Sequence, residues 1–176
     1  MNRATVLLSI GLQLSCAVRE ASVGDVTSLP TYTQRAAAVF DDSVSLTAFG
    51  ISASIEPQAD PRLAKAIAEA DLIIPARLET VGIDDDSQGT RYELTLRLTG
   101  DPLRGELPSD VLELNVGRTS PSQAMLRTMA TQVVGQSLVV LIRRFQREGE
   151  MVLHFRAESD TPAVRETVAL ASQSQE

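Results

Sequence analysis

The groups that could do chemistry are few, and each lacks a partner that its chemistry needs. DDDSQGTRYELT puts Asp84, Asp86, Gln88 and Gly89 at the spacing of a twelve-residue calcium loop, but Thr95 stands where that loop requires a bidentate carboxylate. Strand-like sequence also flanks it where helices are needed, so the stretch reads as a solvated hairpin turn. His154 is the only histidine, so any Ser-His-Asp, Cys-His or two-histidine metal site must use it. It alternates against Met151, Leu153 and Phe155, the positions expected to face inward, and a structural or surface role is expected for it. No Gly-x-Ser-x-Gly elbow, metalloprotease helix or phosphate-binding glycine loop occurs. The sequence therefore assigns no catalytic residue, no metal ligand and no cofactor. Arg143, Arg144, Arg147 and Arg156 gather on two late strands, and guanidinium groups there could meet anionic headgroups, polysaccharide or an acidic partner. Arg143, Arg144 and Arg156 are the binding candidates. Glu148, Glu150 and Glu158 lie close by, so a solvated face with cross-strand ion pairs is the competing reading.

Composition narrows the partners. The net charge is -7 over 176 residues, which repels polyanions and argues against nucleic acid. There is no Trp, with two Tyr and four Phe, too few for a base-stacking platform or an aromatic sugar cleft. The single cysteine, Cys16, can form no internal disulfide, so the fold must stand on packing. Cys16 closes a short leader: Met1 to Arg3 carry one positive side chain, and the apolar run from Ala4 to Leu14 reaches only about half of a ~30 Å hydrocarbon core. That is the size of a secretory apolar region. Leu12-Gln13-Leu14-Ser15-Cys16 resembles a bacterial lipoprotein signal, with Ser15 as the small residue before the lipidated cysteine. Gln13 departs from the aliphatic residue that the pattern has at its place. The resemblance implies a lipid on Cys16 as the membrane attachment. Ala17 after it, where Asp would retain the protein at the inner membrane, implies an outer-membrane destination, periplasmic or surface-facing. Ordinary secretion and a cytoplasmic chain remain the alternatives.

Any site must be positioned by the elements beyond this leader. Residues 17–37 are rich in Ser, Thr and charge and hold no period, so they read as a tether between the leader, 1–16, and a single β-rich domain, 38–172, with a disordered tail at 173–176. VSLTAFGISASIEP changes its alternation around Gly50 and reads as a bulged strand. Asp60-Pro61 is a cap and first turn for a short helix bearing Leu63, Ala64, Ile67 and Ala70 on one face. LIIPARLETVGI and YELTLRLTG alternate as an antiparallel pair, and VLELNVG comes next as a third strand. Ser120-Pro121-Ser122-Gln123 has the form of a capping box ahead of a helical stripe of Met125, Leu126, Met129, Val133 and Val134. SLVVLIRRF, apolar on both faces, reads as a strand covered from both sides, MVLHFRAE as its partner, and Thr161-Pro162 as the start of a last helix.

The expected class is α+β, mainly β. The order of three strands, a helix and two strands (β-β-β-α-β-β) resembles the five-stranded oligonucleotide/oligosaccharide-binding (OB) barrel, and a short helix at each end makes it similar to the netrin-like branch. That resemblance implies a five- to six-stranded OB-like or netrin-like barrel over about residues 61–172; a mixed β-sandwich is the alternative. ADLIIPARLETV, TRYELTLRLTGDPLRG and GQSLVVLIRRF also resemble a type of uncharacterised secreted bacterial domain. If the fourth of these strands is central, Val140 and Ile142 should be buried with Leu94, Leu96 and Leu114, and Met129 and Val133 should turn inward from the helix. The expected function is a membrane-tethered, non-catalytic binding or assembly module of the bacterial envelope, meeting another envelope protein; an envelope enzyme or enzyme inhibitor is the alternative.

Overall fold

In the computed structural model, which describes residues 28–87 and 89–173, six strands form one curled, half-barrel sheet with four helices. The strands are β1 (Ser43–Val44), β2 (Leu72–Asp86), β3 (Gly89–Leu98), β4 (Val111–Val116), β5 (Ser137–Arg147) and β6 (Glu150–Ser159). The helices are α1 (Gln34–Ala37), α2 (Pro61–Glu69), α3 (Gln123–Val133) and α4 (Pro162–Gln173). The sheet order is β1-β6-β5-β2-β3-β4, with β1 parallel to β6 and every other pair antiparallel.

The alternation of the strands decides the core. Tyr92, Leu94 and Leu96 of β3 and Leu114 and Val116 of β4 line the concave side, where Leu126 and Val133 of α3 fill the curl. Val140 and Ile142 join that cluster, and Met129 packs against it partly buried. The odd-numbered neighbours on β5, Val139 and Leu141, point the other way into a second cluster under α2 and α4, with Leu63, Ile67, Val164 and Val168. β5 is therefore apolar on both faces because it divides two cores, which is how a covered strand must read. The curl arises in β2, whose first half pairs with β5 and whose second half runs on with β3 past a register shift between Leu78 and Thr80.

Pro75 sits inside β2 without breaking it. The β2–β3 ladder begins only at Ala76, and before it the loop 99–104 takes over the backbone groups of Ile73 and the Pro75 carbonyl, so a missing N–H is tolerated. The same loop carries Arg104, whose guanidinium donates to the Ile67 and Ala70 carbonyls at 2.5 and 3.2 Å and so caps the end of α2. Gly105 comes next with φ +74°, and a Cβ there would stand 2.6 Å from the Asp71 carbonyl, so only glycine fits the turn.

Four expectations change. The strand expected over VSLTAFGISASIEP shrinks to β1, because Leu46–Phe49 forms a 3₁₀ turn that buries Ala48 and Phe49 and ends on left-handed Gly50 (φ 78°); the shift in alternation marked this turn, not a bulge. The capping box is used otherwise. Ser120 Oγ donates to the Asp42 carbonyl, and Ser122 Oγ accepts from Val44 N–H (2.8 Å) and donates to Val44 O (3.1 Å). Gln123 Nε2 donates to the Thr90 and Gly117 carbonyls, and α3 starts at Gln123 without a side-chain cap. The two serines clip β1 to the start of α3 where no ladder joins β1 to β4. Residues 30–37, expected within the tether, carry structure: Pro30 and Tyr32 bond to Gln146, and α1 is capped by Thr33 Oγ1. Of the inward residues expected on β6, Phe155 is buried while Met151 and Leu153 are exposed, since that strand outruns the concave core near its hairpin.

Candidate functional site

A groove of about 840 Å³ opens between β1 with the segment after it, the start of α2, the end of β6 and the starts of α3 and α4. Its size lies in the ~300–1,000 Å³ range of small-molecule sites. Local sequence sets each wall. Gly50 turns the chain out of the 3₁₀ turn, and residues 51–56 then run exposed along the mouth, with Ile51 and Ile55 uncovered beside Leu46. Pro57 and Pro61 start the two short helical pieces that bring Asp60 to the rim. Val44, Leu63, Met125 and Val164 supply apolar floor.

Three charged groups form the polar wall. Asp60 caps α2 by accepting from Arg62 N–H at 2.8 Å, and its other oxygen accepts from Arg156 Nη2 at 2.8 Å. Arg156 Nε donates to Glu158 at 2.6 Å. Burial alone would raise the Asp60 carboxyl, but the Arg62 N–H, the Arg156 charge and the Leu63 N–H outweigh it and hold the group below the usual carboxylate range. Burial likewise lowers Arg156, yet Glu158 and then Asp60 push it above its ordinary value, so this guanidinium keeps its charge at any working pH. The wall is an ion-paired lock of α2 onto β6. Its hydroxyl neighbours are also engaged: Ser43 Oγ donates to Asp41, and Ser45, Thr47 and Ser159 are linked hydroxyl to hydroxyl.

No protein-family model matches the chain, and no curated protein matches it.

A second cluster surrounds His154. Its Nδ1 lies 2.9 Å from Asp42 Oδ2, and Asp42 Oδ1 accepts from Phe155 N–H, with the Asp42 backbone held at φ 54°. Tyr32 stacks on the imidazole with centroids 3.5 Å apart and planes 6° apart, and its hydroxyl donates to the Phe40 carbonyl. The pair fastens the segment around Tyr32 to β6. Burial, then Asp42 and Asp41, pushes the Tyr32 phenol up to about 12. A raised phenol contributes stability below its ordinary value of about 10 that is lost as pH rises through the folded value. Phenolate absorbance should show one tyrosine resisting ionisation to about pH 12 in the native protein. That late step should vanish in Tyr32→Phe; its persistence there would contradict the assignment.

The three arginines grouped by sequence do not form one patch: Arg143 and Arg156 lie on the same face of the sheet, but each is tied to its own carboxylate at opposite ends of α2. Arg143 donates to Glu69 of α2 and lies 5.4 Å from the Phe145 ring centre. Arg144, next in the strand, points to the opposite face, where Asp71 accepts its backbone N–H at 2.7 Å and stands 3.7 Å from its Nε. Only Arg156 lines the groove. Cys16 lies outside the described residues. In the acidic hairpin Asp84 accepts from Arg91 at 2.8 Å, and among the described residues no three His, Cys, Asp or Glu side chains gather as a metal site. Asp42 was missed by sequence reasoning; Asp60 was read only as a helix cap, and Glu158 was named as an ion-pair neighbour of the arginines, which its bond to Arg156 bears out.

Proposed function

We propose that the protein is a non-catalytic binding or assembly module of a bacterial envelope, attached to the outer membrane by lipid on Cys16. The observation that supports the binding half is the groove, whose polar wall is satisfied by its own ion pairs and hydroxyl contacts and whose floor is apolar, the general make-up of a small-molecule site. The leader ending at Ser15-Cys16 supports the attachment. The folded part is read as an open OB-like barrel of the netrin-like kind. Counted from β2, the neighbours run fifth, fourth, first, second, third, the order of such a barrel parted between its third and fifth strands, with β1 beside the fifth.

Radiolabelled palmitate should enter the protein when it is made in a Gram-negative host, and Cys16→Ser should abolish the label. Absence of label, or label indifferent to that substitution, would remove the anchoring half. The chain from Ala17 onward, used as bait in envelope extracts, tests the assembly half.

A further inference from the structure

We propose that the groove binds a small cationic amphiphile, an amine or quaternary ammonium carrying an apolar body of roughly ten carbons. The inference rests on the binding-module reading and names the ligand class for that same groove. Three observations lead to it.

The floor is apolar: Met125 lies along it, partly exposed, over the nearly buried Val44, Leu63 and Val164, and the Arg156, Asp60 and Glu158 charges and the Ser45, Thr47 and Ser159 hydroxyls beside it are already paired, so a polar body would lose its water for few partners. The uncovered Leu46, Ile51 and Ile55 extend that apolar surface over the mouth.

An extended peptide finds no ladder here. The one strand edge facing the groove is β1, and Ser122 Oγ holds both the N–H and the carbonyl of Val44, which leaves that residue's backbone no vacancy for a strand to add to. A small molecule needs no such edge.

The charge at the mouth is negative. Asp41, Glu56, Asp60 and Glu158 line the groove against Arg62 and Arg156, an excess of two carboxylates. Arg156 is held by two of them, and among the described residues no cation pairs with Glu56, which is exposed next to Ile55. A positive head group at the mouth gains attraction there, whereas a fatty acid or anionic lipid would meet repulsion.

The test uses the full chain carrying Cys16→Ser, so that no lipid competes, with its four methionine methyl groups isotope-labelled for NMR. Met125 reports from the groove, and Met151, exposed on β6 and not lining it, serves as the control. Titration with decyltrimethylammonium below its micelle concentration should shift the Met125 methyl saturably and leave Met151 in place. Decanoate of the same length should bind about tenfold more weakly or not at all, and Glu56→Lys should weaken the cation by about fivefold to tenfold while improving decanoate. No Met125 shift with the cation, equal affinity for decanoate, or a cation affinity untouched by Glu56→Lys would overturn the proposal. Such a failure is separable from failure of the tether, which the palmitate label on Cys16 reads independently.

Discussion

Arg156→Met destabilises the protein by about 3 kcal/mol or more, because it leaves Asp60 and Glu158 side by side without their shared cation. Breaking a buried pair from one side costs about 3–5 kcal/mol, and the partial exposure of Asp60 places this case toward the lower end. Chemical denaturation at neutral pH measures it. The pH dependence identifies the cause. Asp60 is held below its unfolded value, so its contribution is present above about pH 4 and lost as pH falls through the native value. In Arg156→Met the share of that contribution owed to the guanidinium is gone while the Arg62 and Leu63 N–H groups remain, so the gap between variant and parent should narrow as the solution is acidified. Arg156→Met combined with Asp60→Asn and Glu158→Gln should recover much of the loss, since no unpaired charge remains. A constant gap at all pH values would mean that lost packing, not lost charge pairing, destabilises the variant.

Leu96→Ala lowers the melting midpoint strongly, and Thr95→Ala, its neighbour in β3, barely moves it. Leu96 is 1% exposed in the concave core, and truncating such a residue costs about 2–5 kcal/mol, at roughly 2–4 °C of midpoint for each kcal/mol in a chain of this size. Thr95 faces outward between Thr80 and Glu113, a cross-strand contact worth about 0.2–1 kcal/mol. Thermal melts followed by circular dichroism decide it. Equal shifts from the two would mean that the curled sheet does not enclose its core on the Leu94, Leu96 and Leu114 side.

The strands were legible because each obeys one local rule. β3 shows its two faces in the alternation of Tyr92, Leu94 and Leu96 with Glu93, Thr95 and Arg97, and β5 announces two cores by being apolar at every position from Leu138 to Ile142. The helix α2 was legible from Asp60-Pro61, a cap and a first turn that need no distant partner. The groove and the second cluster were not legible, since each joins residues far apart in the chain: Arg156 to Asp60 across 96 positions in the groove wall, His154 to Asp42 across 112 in the other. No periodicity carries such pairings, so Arg156 was grouped with Arg143 and Arg144, which pair with other acids, Glu69 and Asp71. Ser120 and Ser122 show a further limit. The Ser-Pro-Ser-Gln string suits a helix cap, but a hydroxyl can bond to any backbone within reach, and here the nearer demand came from Asp42 and Val44.

The fastening at Tyr32 also determines how the fold bears load. Tension carried by the chain ahead of Pro30 arrives at two backbone hydrogen bonds, Gln146 N–H to Pro30 O at 2.8 Å and Tyr32 N–H to Gln146 O at 3.4 Å, and at one ring stack on His154. These yield before the long β5–β6 ladder, which lies behind them. Under traction the segment up to α1 should therefore peel away first, adding up to about 3.3–3.6 Å per residue released, while the β5–β6 ladder holds. The contacts of Tyr32 thus set the weakest link between the first described residues and the sheet.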